Sequence, residues 1–288
     1  YMKNLIYLLE FLIIFLLFFI FRIIGFKLSS GLGNFIGKII GPIFRSKKII
    51  IENIKNFKPS IKSNEIKKIR GEMWGNYGRI LAEYPYIPSF RKKKLDNFIN
   101  IKGIENLEKI KKSGKPAIFI SGHFNNFELM AMIIEREGVD LSAIYRPLNN
   151  KFLNVIMEYL RKNYICKNQI KKGLKGMREA LANFKKGKSL AVMIDQRVSE
   201  GINTKFFGKY AYTTTIPAQF VKKFGCIIQP VYVERINKNY FNISFDKQIE
   251  FKNTQNIEFI TEKLNKWLEE KIIKKPEQWI WTHNRWKR

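Results

Sequence analysis

Apolar positions along the chain form one long block near the start and a series of short periodic segments after it. The block runs from Leu5 to Phe26. As a helix it spans about 33 Å, close to the thickness of the hydrocarbon layer of a membrane. Glu10 and Arg22 interrupt the block, and Arg22 lies near its end, where its long side chain can reach the headgroups. The pattern predicts one transmembrane helix at 1–26.

A cleaved signal peptide is the alternative for this block, because the run from Phe11 to Phe21 has the length of a signal-peptide core. Only Lys3 precedes that run and no A-x-A-like cleavage site follows it, so a retained anchor is favoured. Basic residues follow the block, which places the rest of the chain on the cytoplasmic side by the positive-inside rule. We expect 27–60, rich in Gly, Ile and Lys, to form an amphipathic segment on that face of the membrane.

Beyond residue 60, helix-like and strand-like patterns alternate, which defines a third region at 61–288. Helical periodicity covers 64–84, 126–137, 151–162, 173–185, 216–224 and 256–274. Strand patterns cover 116–123, 141–147, 189–195, 227–236 and 240–251, with a turn at 237–239 between the last two. The alternation predicts an α/β fold in three layers, with a mainly parallel sheet, helices on both faces and an antiparallel edge.

The charge of the chain is strongly basic, with 53 Lys and Arg against 24 Asp and Glu and a formal net charge of +29. Such a chain attracts polyanions. No RNA-recognition or helix-turn-helix signature accompanies the charge, so membrane or phosphate contact is favoured over nucleic acid. Part of the excess of Lys and Arg has an alternative explanation, which is a composition rich in Lys, Ile, Asn and Phe along the whole chain. Cys166 and Cys226 lie far apart and predict reduced core thiols in a reducing cytoplasm.

His123 is a candidate catalytic base because it ends the predicted strand 116–123, where functional groups gather in open α/β sheets. Glu128 follows in the first turn of the next predicted helix, and its carboxylate can turn back toward the imidazole. A carboxylate on one ring nitrogen raises the basicity of the other, which can then take a proton from a hydroxyl. The alternative is a surface histidine followed by a glutamate that merely favours the helix dipole.

Several segments in order along the chain resemble the lipid A biosynthesis acyltransferase family, within the wider glycerophosphate acyltransferase-like group. They are MWGNYGRILAE (73–83), GHFNNFE (122–128), YRPLNN (145–150), MIDQ (193–196), FFG with the later TTT (206–215) and PEQWIWTHNRWK (276–287). GHFNNFE carries the H-x4-D/E signature of that family. Together with the N-terminal anchor, the resemblance covers nearly the whole chain.

The resemblance implies an enzyme of lipopolysaccharide biosynthesis that esterifies a hydroxyl of a lipid A precursor to form an acyloxyacyl group. The donor would be an acyl carrier protein thioester and the acceptor an anionic phosphorylated glycolipid, both suited to a basic protein. His123 would be the general base and Glu128 the carboxylate that orients it. No metal, redox cofactor or covalent acyl-enzyme is implied.

Further site residues are expected from their positions and from the same resemblance. Arg146 ends a predicted strand and would hold a lipid phosphate or the developing oxyanion, unless it is paired with an acid. Asp195 and Gln196 end another strand and would position substrate or Arg146, unless they form a cap and a turn. The remaining assignments are Asn126 for substrate binding or helix capping, Phe206 and Phe207 for the acyl pocket or plain core, and His283 for packing or headgroup contact.

Two alternative functions remain open. The first keeps the chemistry and changes the acceptor to a lysophospholipid, an ornithine lipid or a glycosylated phosphoinositide. The second is a basic, non-catalytic membrane-associated protein, in which replacing His123 would leave function intact. The favoured location is the inner membrane of a bacterium, with a single span and the catalytic domain on the cytoplasmic face.

Overall fold

The computed structural model describes residues 2–287. Its α-helices are α1 (Met2–Ile24), α2 (Phe26–Phe44), α3 (Lys47–Phe57), α4 (Ser63–Glu83), α5 (Ile87–Arg91), α6 (Ile104–Ser113), α7 (Glu128–Arg136), α8 (Lys151–Leu160), α9 (Leu174–Lys185), α10 (Ile216–Phe224) and α11 (Ile257–Lys274). Its strands are β1 (Ile99–Lys102), β2 (Ile118–Ser121), β3 (Leu141–Tyr145), β4 (Asn168–Lys171), β5 (Ser189–Met193), β6 (Ile202–Phe206), β7 (Lys209–Thr213), β8 (Ile228–Ile236) and β9 (Tyr240–Phe245).

The predicted apolar helix is present as α1, which has a mean hydropathy of 2.6 and is long enough to cross a membrane. It ends before Gly25, whose φ of 85° is a conformation that side chains rarely adopt. The helices and strands predicted beyond residue 60 are confirmed, and most bounds shift by only one or two residues. The main exception is β9, which ends at Phe245 where the sequence pattern suggested 251.

The central sheet has seven strands in the order β1-β9-β8-β2-β5-β3-β4. All neighbouring pairs are parallel except β8 and β9, so the predicted α/β class with a mainly parallel sheet is confirmed. The prediction that the antiparallel pair forms the edge is wrong, because the short strand β1 adds in parallel outside β9. A separate antiparallel hairpin consists of β6 and β7.

Both faces of the sheet are covered, as the side chains of β2 demonstrate. Ile118 and Ile120 pack into one apolar cluster, with residues of α9, α10 and α11, while Phe119 packs into a second cluster with α6 and α7. Successive side chains of a strand point to opposite faces, and every residue of β2 is buried. Helices on both faces therefore place β2 at the centre of the protein, with its carboxyl end beneath the candidate site.

The segment predicted to be amphipathic folds into α2 and α3, and α2 packs tightly against α4. Gly33 and Gly37 of α2 lie against Gly78 of α4 so closely that a Cβ on any of them would overlap backbone atoms of the other helix. The opposite side of α2 exposes apolar side chains, among them Phe35 and Ile43. One side of α2 is thus fixed to the domain, and contact of the other side with a membrane remains a prediction.

Two glycines of α4 provide a matched test of this helix contact. Gly78→Ala is expected to destabilise the protein by about 1–3 kcal/mol, because its Cβ would meet the Gly33 carbonyl of α2. Gly71→Ala has no atom within 4 Å of the new Cβ. It is expected to stabilise the helix by roughly 0.5–1 kcal/mol. Unfolding of the detergent-solubilised proteins would measure both, and equal effects of the same sign would contradict the close packing.

Candidate active site

His123 and Asp195 meet because β2 and β5 are parallel neighbours in register. Ser121 at the end of β2 lies opposite Met193 at the end of β5, so the residues two positions further on come together. Nδ1 of His123 lies 2.7 Å from Oδ1 of Asp195, and the backbone N–H of His123 donates to Oδ2 at 2.7 Å. One carboxylate thus fixes both the ring and the main chain of His123.

The Asp195 carboxylate is fully buried and receives a third hydrogen bond, from Nε1 of Trp279 at 2.9 Å. Burial disfavours its charge, but the charge and hydrogen bonds of His123, with that of Trp279, lower the pKa of Asp195. Burial also disfavours a charged imidazole, yet the charge and hydrogen bond of Asp195 raise the pKa of His123, with a smaller contribution from Glu128. The pair is therefore a buried carboxylate with a histidine of increased basicity.

The structure corrects the predicted contact between Glu128 and the ring of His123, since the carboxylate on the ring is Asp195. Glu128 begins α7, and its Oε1 accepts hydrogen bonds from Nε and Nη2 of Arg161, at 2.8 and 2.6 Å, and from the hydroxyl of Tyr84, at 2.5 Å. These partners hold the carboxylate beside the guanidinium, and its influence on His123 is electrostatic.

A narrow cleft opens beside His123 and exposes about a fifth of its side chain. Its volume is about 270 Å³, including the solvent at its mouth. The residues around it are Met73, Asn76, Tyr77, Ile80, His123, Asn125, Phe127, Gln278, Trp279 and Ile280. Nε2 of His123 has no hydrogen-bond partner within residues 2–287. The second ring nitrogen is therefore available to a reacting hydroxyl.

The other predicted polar site residues are not all brought together. Asn126 is buried and donates to Oε2 of Glu83 at 3.1 Å, so it holds the loop after β2 in place. Arg146 is exposed and, among the described residues, is paired with no acid. Gln196 is half-buried next to Asp195. Asp195 and Gln196 were expected to position substrate or Arg146. The oxygens of Asp195 accept from His123 and Trp279 and not from Arg146, so for Asp195 the substrate alternative stays a prediction.

Phe206 and Phe207, which were predicted for the acyl pocket or for plain core, pack in the core. Phe206 is fully buried, with its ring 5.5 Å from that of Trp286. Phe207 packs its ring 5.1 Å from that of Phe57. Neither residue lines the cleft beside His123. The reason is the hairpin of β6 and β7, which turns at Phe207 and Gly208 and packs against α11.

The C-terminal segment 276–287 forms part of the wall of the cleft beside His123. Oε1 of Gln278 accepts a 2.6 Å hydrogen bond from Nδ2 of Asn125. Nε2 of His283 accepts from the backbone of Arg197 at 2.9 Å, and burial lowers the pKa of His283 to about 4. This histidine is therefore a neutral acceptor with a packing role, one of the two alternatives predicted for it.

The sequence pattern did not identify four charged or polar residues that organise the site: Tyr84, Arg161, Glu83 and Arg235. The last two form a buried, two-pronged ion pair, with Nη1 to Oε1 at 2.6 Å and Nη2 to Oε2 at 3.0 Å. A signal for Arg235 was present, because an arginine within a continuous buried strand needs a partner. Tyr84 and Arg161 lie at helix ends, where the sequence alone offers no such signal.

Comparison with known proteins identifies the family of this chain. The family described as bacterial lipid A biosynthesis acyltransferase matches residues 2–288. The lipid A biosynthesis palmitoleoyltransferase of Escherichia coli (strain K12) is 21% identical over 264 residues, covering 89% of this chain and 84% of that protein. A lipid A biosynthesis acyltransferase of Haemophilus influenzae is 20% identical over 259 residues, covering 89% and 80%.

Among solved structures, the 1-acyl-sn-glycerophosphate acyltransferase PlsC from Thermotoga maritima is similar with a TM-score of 0.43 and 13% identity, covering 89% of this chain and all of that one. The apolar helix α1 has the length and composition of a membrane span. The family match extends over nearly the entire sequence. This chain therefore belongs to the bacterial lipid A biosynthesis acyltransferase family and is an acyltransferase.

Proposed function

We propose that this acyltransferase transfers an acyl chain from an acyl carrier protein thioester to a hydroxyl of a lipid A precursor, with His123 as the general base. The observation that carries the proposal is the arrangement of His123, whose Nδ1 is held by a buried carboxylate while Nε2 is open to a cleft. The product is an acyloxyacyl ester. Catalysis takes place on the cytoplasmic face of the inner membrane, to which α1 ties the domain.

The chemistry is a proton transfer coupled to acyl transfer. The acceptor hydroxyl gives its proton to Nε2 of His123 as its oxygen forms a bond to the thioester carbonyl carbon. The resulting tetrahedral intermediate collapses, the carbon–sulfur bond breaks, and the imidazolium returns the proton to the leaving thiolate. Asp195 keeps the ring oriented and stabilises the imidazolium that forms between the two steps.

Glu128 acts on this reaction through its charge and through Arg161. Its negative charge contributes to the raised pKa of His123, which makes the imidazole a better base. By holding Arg161 with two hydrogen bonds, it also fixes a guanidinium whose charge acts on His123. Glu128 therefore contributes to catalysis, but less than Asp195 does.

Charge supports the choice of substrates. Acyl carrier protein is acidic and a lipid A precursor carries phosphates, and both are attracted to a chain of net charge +29. Arg146 is exposed and, within residues 2–287, unpaired, so its guanidinium is free to bind a phosphate of the acceptor. The short cleft beside His123 is lined mainly by apolar side chains, which suits the acyl end of the donor.

The decisive experiment uses the detergent-solubilised full chain, a Kdo-bearing tetraacylated lipid A precursor and a panel of acyl carrier protein thioesters. Mass spectrometry is expected to detect one added acyl chain, and a His123→Ala protein serves as the blank. The preferred thioester would give the chain length. A folded wild-type protein that transfers nothing to any lipid, or transfer that survives in the blank, would contradict the proposal.

Parallel reactions with a lysophospholipid and with coenzyme A thioesters separate the substrates from the mechanism. His123-dependent acylation of the lysophospholipid alone would keep the general base and replace the acceptor. Equal rates with coenzyme A and acyl carrier protein thioesters would show that the acidic carrier is not recognised. The expected result is a clear preference for the lipid A precursor and for the carrier-bound donor.

A further inference from the structure

Helix α8 is strongly amphipathic, but the protein itself buries none of its residues fully. Its apolar side chains include Val155 and Tyr159, which are 69% and 58% exposed. A helix in a globular domain normally places such a face against the core. Met157 and Leu160 of α8 pack against the core. The flank at Val155 and Tyr159 is the part of its apolar surface that the described part of the domain leaves uncovered.

The neighbour of α8 is the apolar helix α1, and a polar contact joins the two. Nδ2 of Asn150, the residue before α8, donates to Oε2 of Glu10 at 2.9 Å and to the carbonyl of Tyr7 at 2.8 Å. Oδ1 of the same Asn150 caps α8 by accepting from the N–H groups of Phe152 and Leu153. Glu10, the acid within the apolar block, thus has a specific partner, as intramembrane acids usually do.

Between the two helices runs a groove with a volume of about 700 Å³, including open solvent. Phe11 of α1 and Phe152, Val155 and Ile156 of α8 supply its apolar walls, and of the residues that the structure describes, Lys151 is the only charged one on its lining. The rings of Phe11 and Phe152 lie 6.1 Å apart at one end. A groove with hydrocarbon walls and one ammonium matches a ligand with an acyl chain and an anionic group.

The position of the groove beside α1 favours a lipid over a protein as its ligand. Along the most apolar stretch of α1 only 6% of the residues are buried, and its exposed side chains from Leu12 to Ile20 are all apolar. The exposed face of α8 continues that surface at the level of residues 7–11. Since α1 is suited to a membrane, lipid that surrounds α1 at this level must also meet α8.

We propose that α8 is a second membrane-inserted helix, and that the groove between α1 and α8 holds an acyl chain of an anionic bilayer lipid whose headgroup pairs with Lys151. The proposal rests on insertion of α1 in a membrane, which belongs to the proposed function, but not on the acyl acceptor or donor. Because α8 contacts residues 7–11 of α1, it places both helices together in the cytoplasmic leaflet, instead of α1 crossing the bilayer away from the domain. Its tests measure location in the lipid without measuring acyl transfer, so either idea can fail without the other.

Cysteine labelling of the full chain in phosphatidylglycerol vesicles tests the location of α8. Val155→Cys is expected to react with a charged, membrane-impermeant maleimide at least about ten times more slowly than Tyr210→Cys. Tyr210 is the matched control because it is 62% exposed and lies on the distant β6–β7 hairpin. Burial raises the pKa of both native thiols, Cys166 and Cys226, to about 12, so their background labelling is low.

Equal labelling of the two positions would overturn the proposal, as would protection of Val155→Cys that begins only when acyl carrier protein is added. A nitroxide on the same cysteine then identifies the surrounding phase. We expect it to collide more often with oxygen, which dissolves in lipid, than with a water-soluble nickel chelate. Exclusion of both reagents would mean burial in protein and would also overturn the proposal. Tyr159→Cys is the second site if Val155→Cys does not fold.

The role of Lys151 is tested with the same nitroxide in vesicles of different charge. The probe is expected to become less mobile when phosphatidylcholine is replaced by phosphatidylglycerol, because an anionic lipid then occupies the groove. Lys151→Ala should abolish this response, whereas Lys185→Ala, an exposed lysine on α9, should keep it. A response that both variants retain would remove the anionic headgroup from the proposal.

Discussion

Asp195→Asn is expected to lower the turnover number by roughly 10²–10⁴-fold, about as far as His123→Ala. The aspartate holds Nδ1 of His123 at 2.7 Å and leaves Nε2 to accept the substrate proton. An asparagine amide of the same shape can donate to Nδ1, which moves the ring proton to Nε2. The nitrogen that faces the cleft then has no lone pair for the acceptor hydroxyl.

The same variant is expected to move the acid limb of the pH profile of kcat/KM to lower pH. His123 acts as a base only when it is neutral, so activity rises with pH through its pKa. In the wild type the charge and hydrogen bond of Asp195 outweigh burial and raise that pKa. In the variant burial remains while the largest opposing contribution is gone, so the pKa of His123 falls.

Rates at several pH values with saturating donor would measure both effects, and Asp140→Asn is the matched control. Asp140 is an exposed aspartate whose side chain pairs, within residues 2–287, only with Lys188 and Asn168, so its replacement should leave the profile unchanged. Glu128→Gln should lower activity less than Asp195→Asn and move the limb by a smaller amount in the same direction. If Glu128→Gln caused the larger loss and Asp195→Asn left the limb in place, Glu128 would be the orienting carboxylate.

The sequence was sufficient for the fold class because each element carries its own local pattern. The buried strand β2 and the helices α4, α9 and α10 are each recognisable from a few adjacent residues. The short strands β1 and β4 were not predicted, since four residues with mixed burial carry too little pattern. Their position in the sheet comes from pairing, which only the folded chain determines.

The carboxylate partner of His123 could not be chosen from the sequence for the same reason. Glu128 is close along the chain, whereas Asp195 becomes close only because β5 lies next to β2 in the sheet. Both acids satisfied the rule that site residues follow strands, and the strand order decided between them. The H-x4-E spacing therefore pointed to His123 as a candidate base but assigned the hydrogen bond on its ring to the wrong acid.

Breaking the buried ion pair of Glu83 and Arg235 is expected to destabilise the protein by about 3–5 kcal/mol in either single variant, Glu83→Leu or Arg235→Met. Both side chains are buried, and each replacement leaves the other charge without its partner. Arg235 also donates to Asn76 at 3.0 Å, and Glu83 accepts from Asn126. The pair therefore joins α4, β8 and the loop that carries His123.

The double variant Glu83→Leu/Arg235→Met is expected to be far more stable than the sum of the two single changes predicts, since no buried charge remains unpaired. Its acyl transfer should nevertheless fall, because Asn126 loses the carboxylate that holds the loop after β2. Glu72→Gln on the same helix is the control. Its partner Lys38 and the glutamate are both exposed, so the loss should stay below about 1 kcal/mol.

Denaturant unfolding of the four detergent-solubilised proteins, with circular dichroism as the signal, would complete the cycle. Additive losses in the double variant would mean that the two charges do not stabilise each other in the folded state. Full activity in a double variant of normal stability would mean that the loop keeps its position without Glu83. We expect the double variant to regain stability while its acyl transfer stays reduced. This result would show that the buried pair serves to hold the geometry of the site, because the fold is stable without the pair.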